Sequence, residues 1–417
     1  MYLAHGGPKL WIGAGSLNVA QLNIFTRAKK QPAAFTPWVL LAISAANMSG
    51  QNAAPPASGT RSTKLPPLPA PLGVPKPGPA TASPYVPLPI LPGGIVIPIY
   101  PPGSPFLKMD RVREPEQYNM SETVPGRINS IVNIHNPSIE VHRVDRNLNT
   151  GAAVILVAGG GHRTLNVGSE SADFVPFFYN YGVNTIILRN RLRRDGYNPQ
   201  TDAVNDAFQA IRVVRAYAQE WDIDPKKIGI MGFSAGAELT AATAVLFKSF
   251  DQANATADDP FAGTSSRPDF MGIIYPGPSP FAPGRTPPPI PRNVPPAFVA
   301  TGGSGDRVHA VWAMEYFSAM LAMGVPNIEM HIYGNGRHPG DPLPDGSRMS
   351  GGLTDRNNTP FGKWQYRFID WFRDLGFLQK PGVETKAEKD VTTFLSSPAT
   401  SMNSAAAAPG SAPPRKP

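Results

Sequence analysis

Ser234 stands between two glycines in Gly232-Phe233-Ser234-Ala235-Gly236. An apolar run, "KIGIMGF", leads into it, and an alanine-rich run, "AGAELTAATAVLF", leads away. A G-x-S-x-G serine at a strand-to-helix junction rides on a turn so sharp that its backbone is strained. Glycines two residues to either side remove the Cβ atoms that would strike the neighbouring strand and helix. The hydroxyl then faces an open crevice, and the helix N-terminus beneath it favours negative charge. The chemistry such a serine performs is acyl transfer. It requires a histidine to take the proton, a carboxylate to hold that histidine, and N–H donors for the developing oxyanion.

The chain offers seven histidines. His5 lies in the leader, His135 and His142 precede the catalytic edge expected of the sheet, and His331 falls inside a strand-like run. His309 lies beside an acid rather than after the last strand. His338, in "YGNGRHPGD", follows the run "IEMHIYG" directly and is the expected base. The expected acid is Asp306 in "ATGGSGDRVHA", with Asp341 as its alternative. The order Ser234, Asp306, His338 is the serine–acid–histidine order of α/β hydrolases. Oxyanion donors are expected from Gly160 and Gly161 in "VAGGGHR" and from Ala235, with His162 lining the substrate pocket. A phosphate cradle fits this loop less well, because no Lys-Ser/Thr follows and the spacing is not G-x-G-x-x-G. No H-E-x-x-H and no paired histidine spacing is present, so neither a metal nor a cofactor is expected.

Strands and helices must alternate to bring these groups to one rim. "SIEVHRV" alternates like an exposed strand, whereas "AAVILVA" and "NTIILRN" are continuous apolar runs, as buried parallel strands are. In Thr201–Trp221 the residues Val204, Phe208, Ile211, Val214 and Ala218 recur at helical spacing. Later strands are expected at Phe270–Pro276, Ala297–Gly302 and Ile328–Gly334, and helices near 310–323 and 361–375. This alternation predicts an α/β fold with a mostly parallel central sheet and helices on both faces. Ligands in such folds collect at the C-terminal strand ends. The long insertion Pro276–Pro296 reads equally as a roof over the pocket and as a stiff surface loop.

Proline makes up 49 of the 417 residues, about twice the usual share, and there is no cysteine to form disulfides or thiolate metal sites. All of the net charge of +8 belongs to residues 1–109, which hold eight Lys/Arg and no acid. The remainder is balanced and shows no basic stripe with interleaved aromatics, so nucleic acid is not an expected partner. "RAKK" followed by "PAAFTPWVLLAISAA" has the charged–apolar–small order of an export leader and is too short for a stable membrane span. The expected organisation is a leader at 1–48, a Pro-rich linker at 49–124, a catalytic domain at 125–379 and a disordered tail at 380–417. The expected location is secreted or periplasmic.

The stretches "NIHNPSIEVHRV", "VAGGGHR", "DAFQAIRVVRAYAQEWDIDPKKIGIMGFSAGAELTAA", "RPDFMGIIYPG" and "GVPNIEMHIYGNGRH" resemble the α/β-hydrolase serine esterases, acetylxylan-esterase-like and related bacterial carboxylesterases. The resemblance implies Ser234 as nucleophile, Asp306 as acid, His338 as base, and Gly160, Gly161 and Ala235 at the oxyanion hole. It implies hydrolysis of short acyl esters, acetyl foremost, on plant cell-wall carbohydrate. The partner would be a small-molecule or polysaccharide ester. The chain departs from many relatives in reading His338-Pro339-Gly340-Asp341 after the base, in having His162 after the glycines, and in its glycine-rich acid loop. Two other readings stand beside this one: a general carboxylesterase or peptidase of the same fold, and a non-catalytic binding protein on a hydrolase scaffold.

Overall fold

A computed structural model describes residues 83–256, 259–342, 346, 348–349, 351–353 and 363–398. The leader-like segment 1–48, most of the expected linker and the chain beyond 398 lie outside the described residues.

Strands β1 (Ile95–Pro98), β4 (Ser138–His142), β5 (Ala153–Val157), β6 (Asn184–Arg189), β7 (Ile228–Phe233), β8 (Met271–Ile274), β9 (Ala297–Gly302) and β10 (Glu329–Tyr333) form one eight-stranded sheet. Its order is β1-β4-β6-β5-β7-β8-β9-β10. The six strands from β6 to β10 run parallel, and β4 and β1 join antiparallel at one edge. Strands β2 (Gln117–Met120) and β3 (Ile128–Val132) pair separately. Helices are α1 (Phe174–Tyr179), α2 (Val204–Ala216), α3 (Ala235–Ala253), α4 (Arg307–Ala322), α5 (Trp364–Asp374) and α6 (Lys386–Ser396).

The continuous apolar runs are explained by burial on both faces. In β5, Ala153, Ile155 and Val157 enter one core, shared with α2, α3 and α4. Val154 and Leu156 enter the other, shared with α1 and α5. Alternation of side chains across a strand does this, and no polar face is left for solvent. The connection from β5 leads to β6 on one side, and the next crossover leads to β7 on the other. The strand order therefore reverses between β5 and β7, and a crevice opens at their C-terminal ends.

Three expectations are corrected. The segment 49–124 is not linker throughout, because β1 pairs with β4 and Leu107 and Val112 are buried. Proline is tolerated there because β1 is an edge strand, needing ladder bonds on one side only. That pairing also covers β4, which is buried rather than exposed. The tail is not disordered from 380, since α6 is capped by Thr385 and buries Ala387 and Val391. Its composition hid a short amphipathic helix with only two buried anchors.

Candidate active site

The turn between β7 and α3 places Ser234 at φ 51° and ψ −117°, a backbone region that non-glycine residues rarely enter. The flanking glycines are required by contact. A Cβ on Gly232 would lie 2.3 Å from the Gly236 carbonyl oxygen, and one on Gly236 would lie 2.0 Å from that of Val157. The start of α3 is therefore pressed onto the end of β5.

Ser234 Oγ is 3.0 Å from His338 Nε2. On the far side of the ring, His338 Nδ1 is 3.3 Å from Asp306 Oδ2. Asp306 follows β9 and stands at the N-terminus of α4, yet its carboxylate does not cap that helix and turns to the imidazole instead. Burial would raise its pKa, but hydrogen bonds from His309 and His338 outweigh this and lower it to about 2, so it is an anion at neutral pH. Asp341 makes no such contact; its backbone bonds to His338 and Met349.

The glycine-rich acid loop and the histidine loop interlock. The N–H groups of Gly303 and Ser304 donate to the carbonyls of Tyr333 and Gly334 at 2.9 and 2.7 Å. A Cβ on Gly302 would meet the Gly336 carbonyl oxygen at 2.3 Å, and one on Gly305 would meet it at 2.7 Å. This close approach sets the distance between acid and base.

The loop after β5 approaches the serine from the other side. A Cβ on Gly159 would lie 2.9 Å from Ser234 Cβ. Gly160 and Gly161 take φ values of 128° and 63°. Among the described residues, no hydrogen bond occupies the N–H of Gly160, Gly161 or Ala235. These donors, the serine hydroxyl and the imidazole are brought to the same rim of the sheet. Together with the sheet order, the elbow decides the fold.

The chain has the α/β-hydrolase fold. Residues 140–267 match the BD-FAE family. The chain is 29% identical over 127 residues to an acetylxylan esterase of Xylanibacter ruminicola, covering 30% of this chain and 23% of that protein. It is 31% identical over 124 residues to endo-1,4-beta-xylanase B of Butyrivibrio fibrisolvens, covering 30% and 19%. The matches thus span under a quarter of the length of these curated relatives. The solved acetyl ester-xyloside bifunctional hydrolase of Caldicellulosiruptor lactoaceticus is similar at 26% identity and a TM-score of 0.48, over 58% of this chain and 89% of that one.

Four features of the site were not foreseen. Buried Glu170 accepts the Gly159 N–H at 2.8 Å and the Tyr275 hydroxyl at 2.9 Å. Burial raises its pKa to about 7 against those two hydrogen bonds. Tyr275, at φ 37°, stands edge-on to the His338 ring. His162 Nε2 lies 3.0 Å from Glu238 Oε2, and Arg285 donates to Glu238 Oε1 at 2.7 Å. Burial opposes ionisation of Glu238, but the bonds from His162 and Arg285 hold its pKa below the ordinary value. Arg285 belongs to the 276–296 insertion, which closes a cavity of about 170 Å³ against Leu239, Ala242 and Leu246 of α3. His309 also binds Asp306, with Nδ1 2.5 Å from Oδ1, and its ring stacks on His338 at 3.7 Å and 7°. None of these pairings has a short sequence spacing that would announce it, apart from the three-residue step from Asp306 to His309.

Proposed function

We propose that the protein is a serine esterase that removes short acyl groups, acetyl foremost, from esters of plant cell-wall carbohydrate. The observation that carries the reading is the 3.0 Å contact of Ser234 Oγ with His338 Nε2, backed by anionic Asp306. His338 takes the serine proton as Oγ attacks the ester carbonyl, and Asp306 stabilises the imidazolium that forms. The N–H groups of Gly160, Gly161 and Ala235 receive the oxyanion, an interaction for which each donor is typically worth about a hundredfold or more in rate. His338 returns the proton to the departing alcohol. Water, activated by the same imidazole, then clears the acyl-enzyme.

Likeness to an acetylxylan esterase and to a xylanase supports a xylan-linked acetyl ester as the substrate. The leader-like order of residues 27–46 supports export, where such a polymer is met.

Labelling with a fluorophosphonate tests the chemistry: wild type should react and Ser234→Ala should not. p-Nitrophenyl acetate and acetylated xylan should be cleaved faster than long-chain esters and peptide anilides. Unlabelled wild type with no ester turnover would return the chain to a binding role.

A further inference from the structure

Asp306 accepts from two imidazoles at once. Its Oδ1 faces His309 Nδ1 at 2.5 Å and its Oδ2 faces His338 Nδ1 at 3.3 Å. The two rings lie parallel, 3.7 Å apart, so both Nδ1 atoms turn toward one carboxylate. One donor atom from each of Asp306, His309 and His338 falls within 4.8 Å of the others. An ion held tetrahedrally at about 2.0–2.1 Å needs its ligand atoms about 3.3 Å apart. Because the rings lie parallel and 3.7 Å apart, an ion midway would stand out of both ring planes, so ligation requires the two imidazoles to turn about their Cβ–Cγ bonds and open the stack as well as to close that spacing. Two imidazoles and one carboxylate suit zinc and its neighbours and do not suit magnesium or calcium. Both histidines keep some solvent access, at 16% and 19% of their side chains, while the carboxylate is buried, so an ion can enter from the crevice onto a preformed anion.

We propose that Asp306, His309 and His338 form a binding site for a divalent transition-metal ion, zinc in particular, and that the ion switches off the hydrolytic site. With Asp306 as acceptor, His338 carries its proton on Nδ1 and presents a bare Nε2 to Ser234. A metal on the two Nδ1 atoms takes the place of the protons that His309 and His338 direct at Asp306, and each proton moves to Nε2 of its own neutral ring. His338 then donates toward Ser234 and has no lone pair to receive the serine proton. Asp306 is drawn onto the metal in the same event. The ion needs no bond to Ser234 to inhibit. The ligands come from the start of α4, which carries Asp306 and His309, and from the loop after β10, with Asp306 and His338 32 residues apart in sequence, which is why no motif betrays the site.

Binding stands independently of the esterase reading; inhibition rests on it. The test separates the two. Zinc is titrated calorimetrically into the metal-stripped full chain as wild type, Ser234→Ala, His309→Phe and His309→Asn. Phenylalanine keeps a ring stacked on His338 and removes the ligand atom, and thermal melts establish that each variant is folded. Losing even an outer-shell partner costs about 10–100-fold in metal affinity, so losing a ligand should weaken the site by about 100-fold in both His309 variants, with Ser234→Ala unchanged. In p-nitrophenyl acetate turnover, zinc should inhibit wild type reversibly to a chelator, magnesium should not, and His309→Phe should need about 100-fold more zinc. Equal affinity in wild type and both His309 variants, or no saturable site, overturns the metal site. Binding without inhibition of an active enzyme overturns the switch. Binding lost with His309 in a chain that never hydrolyses esters sustains the site and removes the proposed function instead.

Discussion

At the residue scale, the meeting of Ser234, Asp306 and His338 was legible because each follows an apolar run and the fold gathers strand ends at one rim. Ser234, Asp306 and His338 needed only order and position. Glu170 was not legible, because nothing in "NVGSESADF" signals that its carboxyl will be sealed beneath the glycine loop. Ser234→Ala should lower kcat by about 10⁴–10⁶-fold with an unchanged melting curve, since members of such a relay act as one unit; steady-state kinetics on acetyl esters checks this. Glu170 makes a prediction about pH. Its pKa is about 7 in the folded chain and near 4.5 as a free side chain, so the folded state holds a proton between these values that the unfolded state has lost. Stability is then fully present below pH 4.5 and falls as pH rises through 7, by at most about 3–4 kcal/mol. Glu170→Gln should flatten that slope, as urea titrations at pH 5 and 7.5 would reveal. Parallel slopes in the two proteins would sink the assignment.

At the element scale, the strands were readable as continuous apolar runs, and their limits moved by one or two residues. What sequence could not convey is how two loops from neighbouring strands fit together. The glycines of "GGSGD" look like slack, yet they are the points where the acid loop touches the histidine loop. A methyl on Gly305 would meet two carbonyl oxygens, of Gly336 at 2.7 Å and Asn335 at 2.8 Å, neither of which can swing away as a side chain does. Gly305→Ala must therefore push the loops apart and move Asp306 relative to His338. A displacement of about 1 Å at a catalytic group costs on the order of a hundredfold in rate. The expected outcome is a kcat about 100-fold lower, with KM little changed and a folded protein by circular dichroism. Unaltered kcat would mean the interlock does not set the relay.

At the scale of the whole molecule, composition misled at the N-terminal side. A proline-rich stretch reads as tether, but residues 83–112 are built into the sheet edge through one buried carboxylate. Glu140 on β4 accepts the N–H groups of Ile90 and Leu91 at 2.7 and 3.0 Å and the Arg189 guanidinium at 2.9 Å. Burial would raise its pKa, but Arg189, the hydrogen bond with His142 and the Ile90 N–H hold it below the ordinary value, so it is charged. Its side chain also fills the space over Gly94, where a Cβ would come within 2.5 Å of Oε1. Glu140 thus binds the arm to β4 and β6 at once. Glu140→Ala removes one of the two buried carboxylates that face Arg189, leaving Glu116 at 3.5 Å, and orphans two backbone donors. Breaking a buried pair from one side costs about 3–5 kcal/mol, which for a domain of this size lowers Tm by about 10 °C. Limited proteolysis should then cut first within 83–112, ahead of the central strands. If the arm were ornamental, the melt would shift by no more than about 2 °C and cleavage there would be as fast in wild type as in the variant. The arm's prolines, which prevent any helix, are compatible with this role because an edge strand and a series of caps onto one carboxylate demand few backbone donors.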